Sequence, residues 1–275
     1  MNVEPQTIAA VARKEFTDHV RNRWVGALTV IFLVLTMAAA LLTGGAAFDA
    51  SVFGDFQSTV ATLTGITSIL IPLIGILLGY ATISGEVESG TLSLELAYPV
   101  SRTEILLGKV IGLGTVLVVS ALIGFGFSGL VIAVADGAGN ATAYVDFVGL
   151  SLLIGILYLS LAVSISTIFE RRATSIAACI VLFFWSMVHG IVIFSLYFVT
   201  GGSLNSLLLG ELPDWIWASI VLSPFDMYQL AVMKSVGNFL ITPGYMSIEF
   251  LIGVQSGWIV VALGIAFYSF QRRDM

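Results

Sequence analysis

Residues Ser84–Lys109 read SGEVESGTLSLELAYPVSRTEILLGK, a polar interruption between two apolar runs that are each long enough to cross a bilayer. Glu86, Glu88, Glu95, Arg102, Glu104 and Lys109 all fall here, in a chain whose charged residues make up only 10% of the total. Charge gathered between two spans marks either a solvated connection or a docking surface for a water-soluble partner. The pattern predicts a helix over 86–97, with Val87, Leu92, Leu94 and Leu96 as a ragged apolar stripe. Pro99 ends it, because the residue before a proline is pushed out of the α region. A second helix starts at Arg102 and runs into the next apolar run.

Outward from this loop the solvent is lipid. Hydrophobic residues make up 58% of 275 positions and the mean hydropathy is +1.03, far above a soluble domain. Spans are expected at about Trp24–Leu42, Val60–Ile83, Val110–Val134, Phe147–Ile168, Ser175–Val199 and Phe250–Phe270, each near the roughly 20 residues that the hydrocarbon core requires. The fold class is therefore an all-α integral membrane protein, one domain over 1–275. Six crossings return both ends to one side. Arg13, Lys14, Arg21, Arg23, Arg102, Lys109, Arg171, Arg172, Arg272 and Arg273 share that side, and Lys234 alone faces the other. Basic residues are retained inside, so the plasma membrane with cytoplasmic termini is expected. The opposite side carries Asp49, Asp55, Asp136, Asp146, Glu211, Asp214, Asp226 and Glu249. An outer face this acidic suits high external salt, and equally allows attraction of cations. Asn140-Ala-Thr142 on that face is a glycosylation sequon. Cys179 is alone, so no disulfide or cysteine metal site forms.

Residues 5–23 precede the first span and place Ile8, Ala12, Phe16 and Val20 on one stripe, with Arg13, Lys14, Thr17, Asp18 and Arg21 around the rest. This predicts an amphipathic helix in the membrane surface; a cleaved signal peptide is not expected after so long a polar lead and before an apolar run of about 19 residues. Residues 200–248 are too long for a turn, and Trp215–Val221 is too short to cross. A re-entrant or interfacial helix is expected there, with Pro213 and Pro224 at its ends and Trp215 and Trp217 at headgroup level.

The wording of three stretches points to a family. E-x-x-x-G-T-L followed by Y-P-V-S-R-x-x-I-L-L-G-K, carried by Glu86, Gly90, Thr91, Leu92, Pro99, Ser101, Arg102, Leu107, Gly108 and Lys109, resembles the cytoplasmic coupling loop of type-2 ABC transporter permeases. ARKEFTDHVRNRW at 12–24 resembles their interfacial helix. With Ser223-Pro224-Phe225-Asp226-Met227-Tyr228 added, the chain is most similar to the NosY-type branch, which serves maturation of the copper–sulfur site of nitrous oxide reductase. The resemblance implies an exporter permease that dimerises and is driven by two copies of a separate ATPase, which would hold the ATP and magnesium. This chain itself would bind no cofactor. It further implies coupling residues Glu86, Glu88, Gly90, Thr91, Leu92, Pro99, Arg102 and Lys109, an interfacial helix with Arg13, Lys14, Glu15 and Phe16, and an external gate with Pro224, Asp226 and Tyr228. The cargo would be a sulfur or copper-related factor passed to an extracytoplasmic accessory protein. A lipid, drug or peptide stays open as cargo, and nucleic acid is not expected as a partner.

No chemistry of the chain's own competes well with this. Gly108-Lys109 lacks the earlier glycine and following hydroxyl of a phosphate cradle. The central parts of the spans hold no Asp, Glu, Lys or Arg, and His189 is the one ionisable exception. Gly126-Phe127-Ser128-Gly129 with His189 resembles the dyad of rhomboid intramembrane proteases, since both lie about 20–30 Å along their helices at 1.5 Å per residue. The second span has no His or Asn to build an oxyanion site, so small residues for close helix approach explain the motif better. Gly75-x-x-x-Gly79 and Gly253-x-x-x-Gly257 carry the same packing message.

Overall fold

A computed structural model of the chain describes residues 4–43, 56–92, 100–136, 138–208, 212–237 and 242–273. The described residues are helical, with no strand among them. In order they form α1 (Pro5–Val20), α2 (Arg23–Thr43), α3 (Phe56–Gly79), α4 (Ser84–Ser89), α5 (Arg102–Asp136), α6 (Ala141–Ile168), α7 (Arg172–Val199), α8 (Leu204–Leu208), α9 (Asp214–Ile220), α10 (Pro224–Ser235) and α11 (Ile248–Gln271). Six are long and apolar enough to cross a membrane: α2, α3 running on into α4, α5, α6, α7 and α11. Each expected span falls inside one of them. The pair α9 and α10 is bent by 105°.

Helix α6 is the centre of the bundle, with 61% of its most apolar window buried, against 22% for α7 and for α11. It is approached closely by α3 through glycine. A Cβ on Gly75 would stand 2.8 Å from the Gly155 carbonyl oxygen, and one on Gly79 2.8 Å from the Ala162 Cβ. Lipid offers no hydrophobic drive between helices, so this close backbone approach supplies the dispersion contact. Gly253 and Gly257 behave differently, since no atom lies within 4 Å of a Cβ added at either. Edge-to-face rings of Phe32, Phe125 and Phe147 join α2, α5 and α6, with centroids 5.1 and 5.4 Å apart. Several hydroxyls are satisfied locally: Thr36, Thr64, Thr115, Ser151 and Ser160 each donate to the carbonyl four residues back.

Three sequence expectations need correction. The helix expected over 86–97 is broken at Gly90, whose left-handed φ of 72° ends α4 at Ser89, and Thr91 and Leu92 are helical again. Leu92 beyond it is buried, while residues 93–99, with Glu95 and Pro99, lie outside the described residues. Helix α1 ends at Val20, and of the expected stripe Ile8, Ala12 and Phe16 are half-buried while Val20 is 52% exposed. The inner face also takes in Val11 and Glu15, because two glycines of α5 admit it. A Cβ on Gly108 would meet Val11 Cβ at 2.6 Å, and one on Gly112 the Ala12 carbonyl at 2.6 Å. Lastly, Trp217 does not face outward but is buried in the core at 5% exposure, whereas Trp215 is 40% exposed.

Candidate functional site

Two groups of predicted residues come together at opposite ends of the bundle. At the end that carries both chain ends, Lys109 on α5 is buried to 1% exposure. Its ammonium donates to Glu15 of α1 at 2.8 Å and to Glu86 of α4 at 2.5 Å. A lone buried ammonium is costly, and two carboxylates from different elements offset that cost. Glu15 and Glu86 were expected in separate roles, one on the interfacial helix and one on the docking loop. The structure joins them through one cation. Glu86 is thus turned inward, and Glu88 accepts from the Arg172 backbone N–H at 2.8 Å.

The rest of this face is built on helix ends. Ser101 and Glu104 form a capping box at the start of α5: Glu104 Oε2 accepts from the Ser101 N–H at 2.7 Å, and Ser101 Oγ from the Glu104 N–H at 3.3 Å. The other Glu104 oxygen accepts from the Glu4 N–H at 2.6 Å, which fixes the start of α1. Arginines serve the carbonyls that two helices leave unpaired at their C-terminal ends. Arg102 donates to the carbonyls of Phe270 at 3.0 Å and of Gln271 and Arg273 at 2.9 Å. Arg273 does the same for Thr167 and Phe169 at the end of α6, while Arg172 donates to the Gly85 carbonyl near the start of α4. Arg102, expected as a coupling residue, therefore holds the end of α11. Ser166 Oγ accepts from the N–H groups of Ile83 and Ser84, at 2.9 and 3.0 Å, and so seats α4 on α6. Exposed Thr91 bonds Ser89, while Arg13 and Lys14 are exposed and Phe16 is half-buried. Pro99 lies outside the described residues.

At the opposite end, α10 is fastened to three spans. Ser223 caps it, accepting from the Asp226 N–H at 3.2 Å while donating to the Ser186 carbonyl of α7 at 2.9 Å. Pro224 is its first residue and gives up no needed N–H there. Asp226 and His189 of α7 meet at 2.7 Å, Oδ2 to Nδ1. Gly190 makes room for this, since a Cβ there would stand 2.9 Å from Asp226 Oδ1. Tyr228, fully buried, bonds Ser151 of α6 at 2.9 Å. Trp258 of α11 donates to the Val221 carbonyl at 3.1 Å, at the bend itself. Ser128 has no part in this: it bonds the Gly124 carbonyl and the Tyr144 hydroxyl, at 3.1 and 2.9 Å. Ser128 and His189 thus spend their hydrogen bonds on separate partners, as packing residues do.

Comparison with known proteins follows the same lines. The family model described as ABC-2 family transporter protein matches residues 9–275. The chain belongs to that family. It is 34% identical over 276 residues to a probable ABC transporter permease protein NosY of Stutzerimonas stutzeri, covering 96% of this chain and 97% of the relative. It is 36% identical over 225 residues to a probable NosY permease of Pseudomonas aeruginosa, covering 80% and 79%. An ABC-2 permease is the membrane subunit of its transporter and is not itself the catalyst; such permeases act with ATPase subunits.

Several participants escaped sequence reasoning. The capping box was legible in Ser101-x-x-Glu104 before an apolar run. Ser151, Ser186, Trp258 and Arg273 carry no local signal, because each is defined by a partner far along the chain.

Proposed function

We propose that this permease works as a two-fold dimer carrying two copies of a separate ATPase on its Lys109 face. That face is cytoplasmic, and the bent pair α9–α10 is the outer gate. The observation that carries the reading is the Lys109 cluster. It ties the 84–109 loop to α1 and α5, so a force applied to the loop acts on two further elements rather than on a loose connection. The ten-to-one division of basic residues supports the cytoplasmic assignment. The relatives carry the NosY name, and with it the reading takes as cargo a sulfur or copper-related factor for nitrous oxide reductase, received outside by an accessory protein.

With Glu86 and Lys109 facing inward, the docking surface passes to exposed positions, of which Thr91 is the clearest. Thr91→Trp adds bulk there without touching the core, and at least a tenfold loss of ATPase co-purification is expected. Co-purification at the wild-type level would remove the loop from the interface. For the cargo, deletion of the permease should leave nitrous oxide reductase without its copper–sulfur centre in absorption spectra. A mature enzyme in the deletion strain would direct the search to lipid, drug or peptide cargo.

A further inference from the structure

Helix α7 is one unbroken helix of 28 residues, Arg172–Val199, and it is held at two places by different kinds of partner. Its first turn is tied to the loop side: the Arg172 N–H to Glu88, the Arg172 guanidinium to the Gly85 carbonyl at 3.0 Å, and Ser175 Oγ to the Tyr80 carbonyl at 2.5 Å. Past its middle it is tied to the gate, through Ser186 and His189. About 26 Å separates Arg172 from His189 along the axis, at 1.5 Å per residue. Elsewhere α7 is sparsely embedded, so its two sets of polar contacts define where it can pull. A straight helix with few other contacts transmits an axial shift or rotation with little loss.

The gate contacts fall into two groups one turn apart on α7. Around Ser186 the bonds are to the bend: Ser223 Oγ to the Ser186 carbonyl, and the Phe225 N–H to Ser186 Oγ at 3.1 Å. Trp258 holds the same bend from α11 through the Val221 carbonyl. The bend is therefore gripped from two spans, which is what a pivot requires. Asp226 lies beyond the bend, on α10, and a single bond to His189 restrains it toward α7. Of the charged and titratable side chains on the elements packed here, Asp226 faces His189 from α10 and Tyr158 from α6 lies within electrostatic reach of Asp226. On α7 itself Trp185 packs its ring edge-on to the imidazole at 5.8 Å.

We propose that the His189–Asp226 bond is the latch of the gate and the Ser186–Ser223 contact its pivot, with α7 as the rod that carries motion of the 84–109 loop to both. Opening swings α10 about the bend and separates Asp226 from His189, while Ser186 and Ser223 stay together. This rests on the permease reading above and assigns regulation of that gate.

The test uses the permease–ATPase complex in lipid nanodiscs with Cys179→Ser. In one protein, His189→Cys and Asp226→Cys are joined by a short bis-methanethiosulfonate bridge. In a second, Ser186→Cys and Ser223→Cys are oxidised to a disulfide, for which the 3.3 Å between the native oxygens is a suitable start. Each is compared with itself after reduction, so folding defects cancel. Bridging 189 to 226 should lower ATP turnover at least tenfold, with full recovery on reduction, whereas the 186–223 disulfide should leave turnover within twofold of its reduced form. Undiminished turnover in the bridged latch, or lost turnover in the oxidised pivot, overturns the proposal. Failure of the reduced proteins and wild type alike to bind an ATPase would instead count against the permease reading itself.

Discussion

Lys109 shows how much rests on a single side chain when charge is buried. Removing it deprives Glu15 and Glu86 of the ammonium they share, and breaking a buried pair by deleting one partner costs about 3–5 kcal/mol. Lys109→Met should therefore lower the unfolding midpoint of the purified permease in detergent. Adding Glu15→Gln and Glu86→Gln to it should recover most of the loss, because the uncompensated charge is then gone. An unshifted midpoint in Lys109→Met would mean that water already screens the cluster. The sequence marks Lys109 as a charge at the mouth of a span, yet its partner Glu15 lies 94 residues away. Nothing local announces such a pairing. His189 and Asp226 illustrate the same limit: each stands out alone as an ionisable group in apolar company, and only the fold brings them within 2.7 Å.

Among elements, the spans were readable because lipid allows no alternative to a run of about 20 apolar residues with its backbone bonded internally. What the residues did not disclose was which faces meet. The two G-x-x-x-G motifs look alike, but α3 uses Gly75 and Gly79 against α6, whereas Gly253 and Gly257 of α11 open outward. Gly75→Val should overpack the α3–α6 contact and cost about 1–3 kcal/mol. Gly257→Val should leave the unfolding midpoint of the isolated chain unchanged. Equal midpoint losses in the two variants would show that the outward face of α11 is packed within the chain. The break at Gly90 in the helix expected over 86–97 has a related reason. An apolar stripe predicts a helix wherever it continues, and Gly90 interrupts the backbone without interrupting the stripe. For α1, hydrophobicity alone favoured Val20 over Glu15, and the glycines of a distant helix reversed that order.

For the whole molecule, charge asymmetry predicts a topology that can be tested directly. In a Cys179→Ser background, a cysteine at Asn140 should react with a membrane-impermeant maleimide in intact cells. A cysteine at Arg171 should react only after permeabilisation, and the reverse pattern would invert the molecule and move the ATPase face outside. The arginine caps carry a further consequence, which concerns the order of manufacture. Arg102 leaves the ribosome long before the Phe270 carbonyl that it will hold, 168 residues later. Arg273, which closes the end of α6, is later still. The loop is therefore held in a provisional state throughout translation, and its anchorage is completed only when the sixth span has been inserted. If the loop is the ATPase dock proposed above, a nascent chain offers an unfinished dock, and the chemistry of its helix ends then discourages premature assembly on a partly inserted subunit.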